Sequence, residues 1–280
     1  MNAVIQSHDS QSPSWRWQDI DFSHIRRERI CNDDLMFYLL TAASFIEITA
    51  DLYTSNLVEH YGRDSAASAW LSRQWEQEEV QHGHALRAYV RHVWPDFDWE
   101  AAYREFFAEY STVCTPEELE PGKAREMVAR CVVETGTSTF YGMLNAYADE
   151  PVLKQLTRLI QRDEVSHYRA FRDFYARYNA DDKLGRLQLI WTLFKRLREV
   201  RNEDSFIAFK HVYLARHPGQ TFDPVVFDHY QRRARHDLFG PHYPYRMAVR
   251  MVLSLLEPGR RSRAVLEPVL VAAARKALLH

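Results

Sequence analysis

The chain has 280 residues, 46% of them apolar, and a formal net charge of −2, enough to bury a sizeable core in one domain or one domain plus an extension. Nine Gly and eleven Pro are few, and β-type alternation is scarce, which favours an all-α protein. No run approaches the roughly 18–20 apolar residues of a membrane span. There is no Gly-rich phosphate loop, and no nucleic-acid partner is expected.

Residues 1–29 read as a loosely structured arm anchored by Trp15 and Trp17. Its start, Met1 to Ser14, is polar and lacks the apolar core of a signal peptide. Cys31, Cys114 and Cys131 show no CxxC spacing, so reduced thiols in a cytoplasm are expected. Asn32-Asp33-Asp34 supplies a helix start, and the spacing predicts one helix to about His60. Met36, Leu39, Leu40, Ala43, Ala50, Tyr53 and Leu57 form its apolar stripe. Glu47 sits in the middle of that stripe, where an unpaired carboxylate would be expensive.

Tyr61-Gly62-Arg63-Asp64-Ser65 is a turn signal, and Asp64-Ser65 opens a second helix reaching about Val93. Its stripe includes Trp75, Glu79, His82, Leu86 and Tyr89, and Pro95 ends it. Residues 96–121 form a long connection with a helix across Trp99 to Tyr110. Pro116-Glu117-Glu118 is expected to begin the third long helix, whose inward face reads Met127, Cys131, Glu134, Thr137, Ser138 and Tyr141. After the Asp149-Glu150-Pro151 turn, a fourth helix aligns Leu156, Ile160, Glu164, His167, Phe171 and Phe174. Residues 30–180 thus form a four-helix core. Residues 181–280 form a helical extension, with segments at about 182–201, 204–216, 223–238, 244–256 and 262–279. The charge is uneven: residues 1–180 carry 18 Lys+Arg against 28 Asp+Glu (−10), and residues 181–280 carry 18 against 10 (+8).

Glu79/His82 and Glu164/His167 are each a Glu-x-x-His pair, so both side chains of a pair lie on one helical face. With 20 Glu and 13 His in the chain, chance alone supplies roughly one such pair, so the partners decide the matter. Glu47 precedes Glu79 by 32 residues and Glu134 precedes Glu164 by 30, with turn signals at both midpoints. In antiparallel hairpins each glutamate then stands roughly 24 Å from its bend. Glu opposite Glu-x-x-His, twice, is the ligand set of ferritin-like di-iron bundles.

Four carboxylates at one level repel strongly in a low dielectric, and two divalent ions would cancel their charge. One His per ion among oxygen ligands suits iron, with manganese as the alternative. A ligating His usually donates its outer N–H to a carboxylate, which makes Asp163 the candidate for orienting His82. Glu78 is expected to face solvent, and His84 lies off the ligand face. Thr137, three residues after Glu134, either projects into the site or bonds its own helix backbone.

At these residues the sequence resembles the soluble acyl-(acyl-carrier-protein) desaturases of the ferritin-like superfamily. Trp75, Glu78, Glu79, His82, Gly83, Leu86 and Tyr89 follow that family's first signature, and Asp163, Glu164 and His167 its second. Glu134 followed by Thr137 matches its third helix. The resemblance covers roughly residues 35–178. It implies two irons per chain, bridged by Glu79 and Glu164, with Glu47 and His82 on one and Glu134 and His167 on the other. Thr137 would lie beside the oxygen-binding face. The resemblance also implies an acyl chain on acyl carrier protein as substrate, a narrow apolar channel beside the irons, and a ferredoxin-like electron donor. A tryptophan–histidine–aspartate electron path would use Trp15 or Trp17. Arg232, Arg233 and Arg235 are candidates for docking the acidic carrier, and a homodimer is left open. The alternatives are a ferritin-like di-iron oxygenase on another substrate (a hydroxylase or N-oxygenase) and an iron-handling or peroxide-reducing protein.

Overall fold

A computed structural model of the chain describes residues 14–62, 65–181, 183–199 and 203–279. The polar start before Ser14, Arg63 and Asp64 of the first turn, and residues 182 and 200–202 of the extension lie outside the described residues. No strand occurs among the described residues.

The first helix begins where the carboxylate of Asp33 accepts from the backbone N–H of Leu35 and Met36, meeting orphan donors of the first turn. It does not run unbroken to His60. It divides into α1 (Asp34–Ile48) and α2 (Ala50–Tyr61), bent by 41°. The cause is Thr49, whose hydroxyl bonds back to the carbonyls of Phe45 and Ile46 and competes with the helix ladder. Gly62 then closes α2 at φ 58°, a conformation in which glycine is favoured. The next helix is interrupted too. α3 (Ser65–Trp70) passes through a π-helical turn at Leu71–Trp75 into α4 (Glu76–Val93). α5 (Trp99–Tyr110) lies in the long connection, as the sequence predicts. Pro116–Glu118 is only a 3-10 turn, and the third long helix, α6 (Lys123–Tyr147), starts later, after Gly122 at φ 101°. α7 (Pro151–Asp181) returns along it.

The extension holds α8 (Arg186–Glu199), α9 (Glu203–Arg216), α10 (Pro224–Ala234), a π-helical turn at Arg235–Phe239, the single turn α11 (Gly240–His242), α12 (Tyr245–Leu256) and α13 (Arg260–Leu279). It packs back onto the earlier helices: α9 touches α1 and α5, while α8 and α12 touch α6. A buried ion-pair cluster fastens α8, with Lys195 and Arg196 on Glu120 at 2.9 and 3.0 Å. No single helix among the described residues is long and apolar enough to cross a membrane.

α1 pairs with α4 and α6 with α7, and α4 also meets α7. The core is two apolar clusters. One contains Phe45, Ala85, Leu86, Tyr141 and Ile160; the other contains Leu57, Trp75, Val132, Tyr168 and Phe171. Along α4, α6 and α7 the change from one cluster to the other falls at Glu79/His82, Glu134 and Glu164/His167, while along α1–α2 it comes after Glu47, around Tyr53. A polar layer therefore lies between two dry ones.

The α1–α4 contact is close enough to require Gly83. A Cβ there would stand 2.5 Å from the backbone N of Ile48 and 2.8 Å from its Cα, and backbone cannot step aside as a flexible side chain can. Gly83→Ala is expected to destabilise the fold by about 1–3 kcal/mol, read as a lower urea midpoint at unchanged slope.

Candidate metal centre

Each of the four central helices brings one or two ligand-type side chains to the same depth. Glu47, Glu79, His82 and Glu164 form one group, and Glu79, Glu134, Glu164 and His167 another. In each, one ligand atom per residue lies within 4.8 Å of all the others. Glu79 and Glu164 belong to both. All six residues are buried, none more than 7% exposed. The structure thus brings together every residue singled out from the two Glu/Glu-x-x-His halves.

The atoms facing inward lack partners. Oε1 of Glu79 and Glu164, Oε2 of Glu134 and Nδ1 of both histidines are buried without a hydrogen bond. They crowd one another instead: Nδ1 of His82 is 3.1 Å from Glu164 Oε1, and Nδ1 of His167 is 2.9 Å from Glu79 Oε1. Orphaned polar atoms are rare in a native interior and expensive. Acids and imidazole lone pairs converging on one volume are satisfied together by a cation, so the residues present fit a metal ion in each group.

The outward-facing atoms of both histidines, Glu47 and Glu134 are held. Nε2 of His82 meets Asp163 Oδ2 at 3.3 Å, the role expected of Asp163. Nε2 of His167 meets Glu78 Oε2 at 2.8 Å. Glu78 is therefore not solvent-facing but 7% exposed. The reason is reciprocal geometry: each carboxylate one position before a ligand glutamate crosses to the histidine of the other helix, α7 to α4 and α4 to α7. The adjacent pairs Glu78-Glu79 and Asp163-Glu164 carried that signal in the sequence. Glu47 accepts a short hydrogen bond from the Tyr141 hydroxyl, and Glu134 Oε1 accepts from Trp75 Nε1 at 3.1 Å. Composition offers no sign of these two donors, since both side chains read as core.

Thr137 has both of its expected contacts. Its hydroxyl donates to Glu164 Oε2 at 2.7 Å and lies 3.3–3.4 Å from its own helix carbonyls. Trp15 rather than Trp17 reaches the centre. Its Nε1 donates to Asp163 Oδ2 at 2.5 Å, and its ring stacks on His82 at 6.0 Å between centroids. Trp17 stacks on His84 instead. Arg233 pairs with its neighbour Asp237 at 3.3 Å, and Arg232 with His229. The three cysteines are free.

Without a metal the centre shares protons among its acids. Burial, with the charge of Glu164, pushes Glu47 and Glu79 above the usual carboxylate range. Burial pushes Glu134 up to about 8. Burial opposes ionisation of Glu164 as well, yet the His167 and His82 rings packed against it hold it below the usual range. Burial would lower both histidines, but their carboxylate partners outweigh it. Asp163 and Glu164 raise His82, and Glu134, Glu164, Glu78 and Glu79 raise His167.

The fold and the site define a class: an all-α protein with a double carboxylate–histidine cluster buried at one depth and able to hold metal. No family model, curated protein or solved structure matches the chain, so nothing narrower than this class comes from comparison.

A group with a raised value binds its proton more tightly folded than unfolded, so the fold loses stability as pH climbs between the two values. For Glu134 that interval runs from the ordinary value of 4.5 to about 8; the histidines add theirs from 6.5 upward. Glu164 acts the other way, stabilising above 4.5 and losing that contribution only in acid. The metal-free protein is therefore expected to melt lower at pH 8 than at pH 5.5 in chelator. Added Fe(II) or Mn(II) should reverse the order, because ligating acids must be ionised. Thermal unfolding in the four conditions checks it. Glu78→Ala and Asp163→Ala should each weaken one ion by about 10–100-fold, measured by metal titration.

Proposed function

We propose that the chain is a ferritin-like di-iron oxidoreductase that activates O2 and desaturates an acyl chain carried on acyl carrier protein. What carries the reading is the sharing of Glu79 and Glu164 between two ligand groups, each completed by one further glutamate and one histidine. Oxygen-rich ligation with a single imidazole per ion suits Fe(II). Glu47 and His82 would complete one ion and Glu134 and His167 the other.

When bound, such a centre supplies a site for reductive activation of O2. Desaturation then removes one hydrogen from each of two adjacent carbons. With two electrons and two protons from outside, O2 leaves as two waters. The chain's residues support that stoichiometry in three ways. Thr137 holds a hydroxyl proton on Glu164 at the centre's edge. Asp163 and Glu78 hold the two imidazoles from behind and keep Nδ1 turned inward. Trp15, half-buried in the arm, contacts both Asp163 and His82, a continuous route by which a ferredoxin-like donor could deliver electrons. The apolar clusters above and below the polar layer keep water away.

Iron analysis together with product analysis tests the reading. Wild-type protein loaded with Fe(II) should hold two irons per chain, and Glu134→Ala should hold fewer. Given acyl carrier protein substrate, reduced ferredoxin and O2, the acyl chain should lose two hydrogens. An acyl chain that gains oxygen instead would make the protein an oxygenase. Two irons retained in Glu134→Ala would overturn the ligand assignment.

A further inference from the structure

The metal centre leaves α8 without a role, and α8 is unusual in having two apolar sides. One side is docked: Leu189, Thr192 and Leu193 are buried, against α6 and α12. The opposite side carries Leu187, Ile190, Trp191, Phe194 and Leu197, whose spacing places them on one helical face. They are 84%, 51%, 61%, 51% and 49% exposed. A solvent-facing row of large side chains about 15 Å long marks a surface meant for contact. With Leu187 standing almost wholly clear of the protein, the row is a ridge rather than a groove. A ridge suits a partner that can deform around it.

Charge narrows the class of partner. α8 carries four cations (Arg186, Lys195, Arg196 and Arg198) against one carboxylate, Glu199 at its end, and Lys183 lies just before it. Lys195 and Arg196 are committed to Glu120, while Lys183, Arg186 and Arg198 are exposed. The Arg198 guanidinium lies 5.5 Å from the ring centre of Phe194, at the edge of the ridge. Two such faces pressed together would set cation against cation, which disfavours a second copy of this chain. An anionic bilayer answers both features. Tryptophan, phenylalanine and leucine enter the boundary between headgroups and acyl chains, and flanking cations pair with lipid phosphates.

We propose that the outer face of α8 seats the protein on anionic lipid membranes, with the helix lying in the plane of the interface. A helix lying in that plane gives a peripheral, salt-sensitive attachment. It is independent of the metal centre.

Co-sedimentation of the full chain with vesicles tests it, using phosphatidylcholine alone and a two-to-one mixture with phosphatidylglycerol. Wild-type protein should bind the mixed vesicles and not the neutral ones, and high salt should release it. The double substitution Ile190→Glu/Trp191→Glu should cut binding by about tenfold or more, with helicity and metal content unchanged because both side chains are already exposed. Arg186→Glu/Arg198→Glu should also weaken it, by removing the attraction alone. Equal binding to both vesicles, or undiminished binding by Ile190→Glu/Trp191→Glu, would overturn the proposal. So would failure to bind either vesicle. If that same double substitution then splits a dimer or abolishes binding to acyl carrier protein, the ridge is a protein contact instead.

Discussion

Repulsion among buried acids is the constraint on which the rest of the structure depends. Glu47, Glu79, Glu134 and Glu164 meet at one depth, with Asp163 and Glu78 close behind. In so dry a layer a full set of negative charges cannot persist. The chain answers with imidazoles, with shared protons and with an arrangement of lone pairs that a cation completes. Apolar clusters on both sides of the layer keep water from doing the same. The interaction that most threatens the fold is thus the one that a metal ion would relieve.

The centre is built twice by one rule. In each half a candidate ligand glutamate is preceded by an outer acid that crosses to the other half's histidine, so the two halves orient each other. An indole or a phenol then fixes each remaining glutamate: Trp75 for Glu134 and Tyr141 for Glu47. The irregular backbone clusters at the same level. The bend at Thr49 follows Glu47 by two residues, and the π-helical turn at Leu71–Trp75 immediately precedes the helix carrying Glu79 and His82. π-helical turns recur at functional sites because the extra residue re-aims the side chains that follow.

The extension shares the body of the bundle instead of hanging from it. α9 lies on α1 and α5, and α8 and α12 lie on α6. The buried carboxylates of Glu120 and Glu126, met by Arg125, Arg130, Lys195 and Arg196, tie the start of α6 to the extension. Its excess of cations is therefore partly structural. What remains exposed is spread over α8, α10, α12 and α13, and on α8 it flanks the large apolar side chains turned outward.

Periodicity and spacing alone determined much of this protein. The all-helical character, the four segments bearing candidate ligands and the equal depth of those six residues follow from a 3.6-residue period and two turn signals; Asp163 was reached only through the rule that a ligating histidine donates its outer N–H to a carboxylate. Such features are local or depend only on counting along a helix. Tertiary structure decided what depends on neighbours from other helices. The Glu78 contact to His167, the donors Trp75 and Tyr141, the choice of Trp15 over Trp17 and the outward ridge of α8 all require knowing which helix faces which. The breaks at Thr49 and Leu71–Trp75 were also beyond the sequence. A threonine hydroxyl or an extra residue in a helical turn changes direction only when packing makes the bent form the better one.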